Sequence, residues 1–335
     1  MTHAAADDLD PDAAADDLDP DAPARSGHVP GHVWVNGEIL RADARHLSVF
    51  DRGFLLGDGV FETLRASGGR VTELPEHLAR LRRSATGLEI HLPDDLEPRL
   101  MVGIATLLAT DGLDGPDADA SIRITVSRGA FRARGVLPPD EGVPATLVVQ
   151  AWPIVAAPAG HLERGLHLVA SAVRRDPQDP LATLKTTSRA EYVYARLEAR
   201  RAGADDALFL TVTDQLSEGT SANLFLVRRS PTDGVPELAT PSLDCAILAG
   251  TTRSWLLRWA DRAGLRPFEG WLTKADLASA DEAFLCSSVA GVLPVTRFGG
   301  VLIGDGVPGP WTRRARADRE AMIRGDRPAV ADAER

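Results

Sequence analysis

Lysine is the scarcest charged residue in this chain: 37 side chains are basic, yet only Lys185 and Lys274 are lysines and the rest are arginine. Cysteine is equally rare. Cys245 and Cys286 stand far apart and form no Cys-x-x-Cys pair, which excludes a disulfide framework and a structural zinc site and leaves both as small buried apolar residues. Long apolar runs are missing. The stretch 101–109 falls far short of the ~20 residues that span a bilayer, and the N-terminus has no basic segment leading into an apolar core. These absences point to a cytoplasmic globular protein with no membrane segment and no metal centre.

The sequence also lacks a basic face. Its net charge is −11, and much of that lies in one place: residues 4–12 read Ala-Ala-Ala-Asp-Asp-Leu-Asp-Pro-Asp and residues 13–21 repeat them, giving eight aspartates and no base. So little apolar surface cannot offset chain entropy, and residues 1–28 read as a disordered acidic tail. The remainder is only about three charges negative, a balance that disfavours nucleic-acid binding.

What is present is a core-forming sequence of 335 residues with 44% hydrophobic content, long enough for roughly two domains. Val33 through Ile39 alternates around an Asn-Gly pair, the pattern of strand, tight turn and strand. A strand is expected at 61–65, then helices at 76–88 and 96–110 from their apolar spacing. Strands at 121–127 and 146–152 flank an arginine-containing loop, 128–143. The Pro- and Gly-bearing stretch 153–160 reads as a linker, with a boundary at 155. Beyond it the pattern predicts strands at 167–173, 207–212, 223–227 and 282–286. Helices are predicted at 188–202, with Ala190, Val193, Tyr194 and Leu197 as the apolar stripe, and at 252–263. Strands and helices segregate in both halves, so the expected class is α+β in two domains, 29–154 and 155–322, followed by a tail at 323–335. A cleft between domains is a common cofactor site.

Where arginine supplies nearly every positive charge, a lysine in an apolar run suggests chemistry that a permanently protonated guanidinium cannot perform. Lys185 sits in Leu-Ala-Thr-Leu-Lys-Thr-Thr-Ser-Arg; it is a candidate Schiff-base nucleophile, and alone it reads equally as a solvated side chain. Leu181 and Leu184 could desolvate it. Lys274, after the N-cap candidate Thr273, reads as exposed first-turn surface. If the partner is pyridoxal phosphate, an anion site and an acid for the pyridine nitrogen must follow. Gly250, Thr251 and Thr252 precede an apolar helix and could form an anion cup, although they read as readily as an ordinary helix start. Arg80 could add charge. Glu218 is the candidate pyridine partner, or else a solvated turn glutamate.

Together these segments resemble a known family. Gly57-Asp-Gly-Val-Phe-Glu-Thr-Leu-Arg, His77-Leu-Ala-Arg-Leu, Leu184-Lys-Thr, Glu218 through Asn223-Leu-Phe, Leu248-Ala-Gly-Thr-Thr-Arg and Ser287-Ser-Val-Ala-Gly-Val-Leu-Pro-Val are similar, in order, to the class-IV (fold-type IV) pyridoxal-phosphate enzymes. The resemblance spans about 33–305. It implies a small N-terminal and a larger C-terminal α+β domain with pyridoxal 5'-phosphate between them, a small-molecule substrate, and a homodimer whose partner completes the site. It makes Lys185 the Schiff-base lysine, Arg80 and Thr252 phosphate ligands and Glu218 the pyridine partner, and places Ser288 and Val289 beside phosphate or substrate carboxylate.

Three activities share this scaffold: branched-chain aminotransfer, D-amino-acid aminotransfer, and release of pyruvate from 4-amino-4-deoxychorismate to give 4-aminobenzoate. Branched-chain members place an Asn-Tyr pair four and five residues after the lysine, where this chain has Arg189 and Ala190; Tyr192 lies two positions too far along. Arg189 and Glu191 are in register with the lyase pattern, and Ser127-Arg-Gly-Ala-Phe-Arg-Ala-Arg-Gly resembles the lyase loop. Arg132 and Arg134 could each clamp a substrate carboxylate, or lie on a solvated hairpin. The sequence reading is therefore a pyridoxal-phosphate lyase of this family, with 2-oxoglutarate-dependent aminotransfer on branched-chain or D-amino acids as the alternative and a non-catalytic scaffold as the remote one.

Overall fold

The computed structural model describes residues 30–132, 134–138, 142–154 and 159–325. The chain enters through β1 (His32–Val35) and β2 (Glu38–Arg41), joined by Asn36 and Gly37. Their φ values of 52° and 114° are the left-handed pair that a two-residue hairpin needs, and the Asn36 side chain also accepts the Leu147 N–H at 2.8 Å. There follow α1 (Arg52–Leu56), β3 (Gly59–Ser67), β4 (Arg70–Val71), α2 (Leu74–Gly87), α3 (Leu96–Thr110), β5 (Asp119–Ser127) and β6 (Thr146–Pro153). The strands form an antiparallel sheet in the order β2-β1-β6-β5-β3-β4. Helices α2 and α3 cover one face, burying Leu78, Leu81, Leu100 and Leu107 against Trp34, Leu64, Ile122 and Ile124. The other face of β3 and β5 is left to line the site.

The second half comprises α4 (Ala159–Arg164), β7 (Leu166–Arg175), α5 (Ala190–Arg201), β8 (Asp206–Thr211), β9 (Leu216–Gly219), β10 (Asn223–Arg229), β11 (Pro236–Pro241), α6 (Thr251–Ala263), β12 (Arg266–Gly270), α7 (Lys274–Ala278), β13 (Glu282–Ser287), β14 (Gly291–Phe298), β15 (Val301–Leu302) and α8 (Pro310–Arg324). Its nine strands run β12-β11-β10-β13-β14-β7-β8-β9, with β15 on β14. Strand β9 also meets β10 through the pair Asn223 and Glu218, so the sheet curls back on itself at the site. Parallel pairs β7–β8, β7–β14 and β11–β12 mix with antiparallel ones. Both halves are α+β, as the patterning predicts.

Three expectations need amendment. Helix α5 buries Ala195 and Ala199, small residues that let it lie close on β7 and β8, whereas Val193 and Tyr194 of the expected stripe are exposed. Helix α8 carries the fold past 322: Ile323 is fully buried and its carbonyl accepts from Arg70. The sequence pattern underpredicts strand pairing, because β9, β11, β12 and β14 are short or carry proline and glycine. The acidic tail and the boundary at 155 lie outside the described residues. Among those residues no helix is long and apolar enough to cross a membrane.

Ion pairs tie α8 to the first half. Arg65 of β3 donates to Glu320 at 2.9 Å, and Arg319 makes two bonds, 2.9 and 2.8 Å, to Glu73 ahead of α2. These pairs bridge the two sheets beside the cleft.

Candidate active site

A polar cleft between the two sheets gathers Arg80, Lys185, Glu218, Gly250, Thr251, Thr252, Ser288 and Val289. All are residues that the sequence singles out. Lys185 lies in the segment between β7 and α5, which is pinned to the first sheet: its N–H donates to Ser84 Oγ (3.1 Å) and its carbonyl accepts from Phe61 N–H (3.0 Å). The ammonium stands 4.6 Å from the centre of the Phe61 ring, where ring quadrupole and cation attract. Of the two leucines expected to shield it, Leu184 lines the cleft, but Leu181 is half exposed and does not.

One end of the cleft is built for an anion. Helix α6 starts at Thr251 with Gly250 as N-cap, and its first turn closes with the bond from Ser254 N–H to the Gly250 carbonyl, at 3.0 Å. The N–H groups of Thr251 and Thr252 precede that bond, at the positive end of the helix dipole. A side chain at 250 would run into Asn223 Oδ1, so the backbone approaches as closely as glycine allows. The threonine hydroxyls do not cap the helix. Thr251 Oγ1 is 3.2 Å from Ser288 Oγ, and Thr252 Oγ1 accepts from Arg319 at 3.2 Å.

Arg80 is held there by Glu62, to which it donates from Nε (2.8 Å) and Nη2 (2.6 Å), while Nη1 donates to the Ala249 carbonyl at 3.0 Å. His77 meets the same carboxylate at 2.7 Å. Burial alone would raise the Glu62 carboxyl, but Arg80 and the His77 bond outweigh it and hold it at about 2.

Glu218 is also buried, and it accepts from Asn223 Nδ2 (3.2 Å) and Leu248 N–H (3.0 Å). Burial therefore pushes its carboxyl up, against the field of Arg175, Arg189 and Lys185. Arg175 is buried behind it, donating to Glu191 at 2.6 Å. Tyr192 also faces the cleft, although by residue count it stands two positions too far along. Its first helical turn brings the ring under the Arg189 guanidinium at 3.1 Å, and burial together with Glu218 raises its hydroxyl.

Arg123 is absent from the sequence-based candidates. It projects from β5, where Arg123 pairs with Thr63, and lies 3.9 Å over Phe61; Arg189 lies 5.7 Å over the same ring and donates to the Thr220 carbonyl at 2.9 Å. Both guanidinia line the cleft. The one available signal is an arginine in the middle of an alternating strand whose neighbours Ile122 and Ile124 face the core. Arg132 and Arg134 do not line the cleft. They are exposed on the segment after β5, Arg132 lying 5.9 Å over Phe50.

The donor set fits pyridoxal phosphate: an amine, a buried carboxyl with acceptor capacity toward the cleft, and a glycine-threonine helix start with hydroxyls for a phosphate. Comparisons agree with that arrangement. The sequence profile of the family described as amino-transferase class IV matches residues 59–298. A putative branched-chain-amino-acid aminotransferase of Methanocaldococcus jannaschii is 34% identical over 285 residues, 85% of this chain and 93% of that protein. A T.th. branched-chain amino acid aminotransferase, solved with pyridoxamine 5'-phosphate, superposes with a TM-score of 0.81 at 29% identity, covering 90% of this chain and 97% of that one. The 4-amino-4-deoxychorismate lyase of Pseudomonas aeruginosa superposes at 0.71 with 34% identity, covering 88% and 98%.

Proposed function

The chain belongs to the class IV aminotransferase family, with pyridoxal 5'-phosphate as cofactor, and on that footing we propose that it is an aminotransferase that moves an amino group from a branched-chain or D-amino acid to 2-oxoglutarate. The likeness to branched-chain aminotransferases carries this reading, and the cleft fits it, with the Lys185 amine 4.6 Å from the Phe61 ring and two guanidinia, Arg123 and Arg189, over the same ring. An amine beside a double cationic wall suits a reaction in which one substrate carries a carboxylate beyond the one on its α-carbon.

Bound in the cleft, the cofactor supplies an electron sink for the bond broken at the substrate's α-carbon. Lys185 Nζ takes the proton from that carbon and gives it up to the cofactor, not back to the same carbon, as amino transfer requires. Glu218 holds a proton at the ring nitrogen. Arg80, the α6 N-terminus, Thr251 and Thr252 bind the phosphate, and Ser288 and Val289 border it. Arg123 and Arg189 orient the distal carboxylate of 2-oxoglutarate and of the glutamate it becomes. Tyr192, delivered to the cleft from α5, weakens the objection that an Asn-Tyr pair is missing after the lysine.

The second reading is release of pyruvate from aminodeoxychorismate, favoured by Arg189 and Glu191 in register with the lyase pattern. Its substrate also carries two carboxylates. Arg132 and Arg134 would then act from a second copy of the chain in a homodimer, since neither lines the cleft of its own protomer. The exposed Phe50, Phe54, Leu55, Val136 and Leu137 beside that segment support such an interface. One assay separates the readings: the protein is incubated with leucine or D-alanine and 2-oxoglutarate, and separately with aminodeoxychorismate. Glutamate in the first with no pyruvate or 4-aminobenzoate in the second is expected. Pyruvate and 4-aminobenzoate without glutamate would replace aminotransfer by the lyase reaction.

A further inference from the structure

His77 is fully buried and lies behind the anion end of the cleft without lining it. Its two ring nitrogens are committed differently. Nδ1 is 2.7 Å from Glu62 Oε2, and an ionised carboxylate has no hydrogen to give, so Nδ1 carries the proton and donates. The Arg80 Nη2 contact to Nδ1, 3.4 Å, is then an approach of two donors and no hydrogen bond. Nε2 faces two hydroxyls, Ser288 at 3.2 Å and Thr251 at 3.3 Å. In a neutral imidazole with Nδ1 protonated, Nε2 is an acceptor with one lone pair, and one of those hydroxyl hydrogens must turn to it. The two hydroxyls also stand 3.2 Å from each other, so one gives its hydrogen to Nε2 and the other can give its own to that neighbour.

An anion at the start of α6 makes the opposite demand, because it needs the Ser288 and Thr251 hydrogens turned toward itself. We propose that His77 is the positioning residue of the anion cup, and that its Nε2 changes from acceptor to donor as a phosphate binds, taking one proton from solvent. With Nε2 protonated, the imidazolium donates to the hydroxyl oxygens, both hydroxyl hydrogens point at the phosphate, and the cup gains a positive charge behind it. The groups that act on His77 are Glu62 on β3, Glu73 before α2, and Arg80 on α2; Arg319 of α8 is paired with Glu73. Burial and Arg80 oppose the imidazolium and Glu62 and Glu73 favour it, so without the anion the ring stays neutral, its pKa below the ordinary histidine value. A dianion added at the hydroxyl side tips this balance.

The inference rests on the cofactor reading, and its test keeps the two apart. The full chain, labelled with 15N-histidine and free of cofactor, is followed by NMR between about pH 7 and 8; loss of one signal set in His77→Asn makes the assignment. Pyridoxal 5'-phosphate should convert His77 from one bare and one protonated nitrogen to two protonated nitrogens, whereas pyridoxal, which lacks the phosphate, should not. Calorimetry in two buffers of different ionisation heat should show about one more proton taken up with pyridoxal phosphate than with pyridoxal near pH 8, where a phosphate ester is almost fully ionised. That excess should vanish in His77→Gln. A bare Nε2 in the loaded protein, or an unchanged excess in His77→Gln, overturns the proposal. If pyridoxal phosphate fails to colour the protein through Lys185 while sulfate alone protonates His77, the cofactor reading falls and the anion relay stands.

Discussion

Two glutamates, Glu218 in the cleft wall and Glu62 behind Arg80, are both buried and pushed in opposite directions. Glu62 on β3 receives two hydrogen bonds from Arg80 and one from His77, and its carboxyl sits at about 2. Glu218 on β9 receives one from Asn223 and one from Leu248, and burial raises it against the field of Arg175, Arg189 and Lys185. A low-dielectric interior penalises a bare carboxylate, and only local partners decide whether that penalty is met. Glu62 is complete within the chain and serves to hold Arg80. At Glu218 the field of Arg175, Arg189 and Lys185 does not offset burial, and a raised carboxyl in the cleft wall is placed to meet an incoming ring N–H.

Breaking the Glu62 side should cost most. In Glu62→Gln the Arg80 guanidinium is left buried opposite a neutral amide, a loss on the order of 3–5 kcal/mol in folding stability, read as a fall in the denaturation midpoint. The pH dependence follows from the direction of the shift. A carboxyl depressed from 4.5 to about 2 stabilises the fold above the unfolded value and loses that contribution as pH falls through the folded one. Wild-type stability should thus decline by roughly 3 kcal/mol between pH 4.5 and 2 on this group's account. Glu62→Gln should flatten that limb; an unaltered acid limb would show that the pair is not what holds β3 to α2.

Breaking the Glu218 side should do the reverse. Glu218→Gln keeps an acceptor oxygen and removes the buried acid, so stability near neutral pH should be unchanged or higher, while kcat/KM falls about 100-fold or more, the scale on which one positioned proton or charge partner acts. The linkage has the opposite sign from that of Glu62. Because the folded carboxyl is raised, the unfolded chain ionises first, and the native state loses stability as pH climbs from the ordinary carboxylate value to the folded one. The variant should lack this loss. A variant that unfolds easily yet turns over normally would exchange the roles assigned to the two glutamates.

The two carboxylates also mark the limits of reading the sequence. Glu218, Lys185 and Gly250 through Thr252 were legible because each occupies a local motif, a few residues whose chemistry and spacing travel together. The helices at α2, α3 and α6 were legible from apolar periodicity within a few residues of their observed ends. Glu62, His77 and Arg80 lie within the recognisable segments, but their mutual geometry does not: β3 and α2 must be packed before one carboxylate can serve two partners. Arg123 needed the register of β3 with β5, a long-range fact. Arg132 and Arg134 do not line the cleft of their own chain, a placement that needs the tertiary contacts of their segment: the bridge from Asp51 to Ala130 and Arg52 donating to the Gly135 and Val136 carbonyls.

The smallest expected effect belongs to the chain's other lysine, and it sharpens the contrast by removing charge count as an explanation. Lys274 opens α7 behind a Thr273 and Asp276 capping box; its side chain is half exposed, and its ammonium stands 4.0 Å from Asp214. An exposed pair of that kind contributes within ~0.5 kcal/mol. Lys274→Ala should leave denaturation midpoint, cofactor absorbance and kcat/KM as they are. Lys185→Ala removes the same charge from the same total, and should abolish cofactor attachment and lower turnover by on the order of 10⁴-fold, the upper range for a positioned proton-transfer group. If both lysine variants lost turnover alike, the amine over Phe61 would be acting through the protein's overall field. A loss confined to Lys185 assigns the chemistry to one nitrogen and its neighbours, the ring beneath it and the buried acid across the cleft.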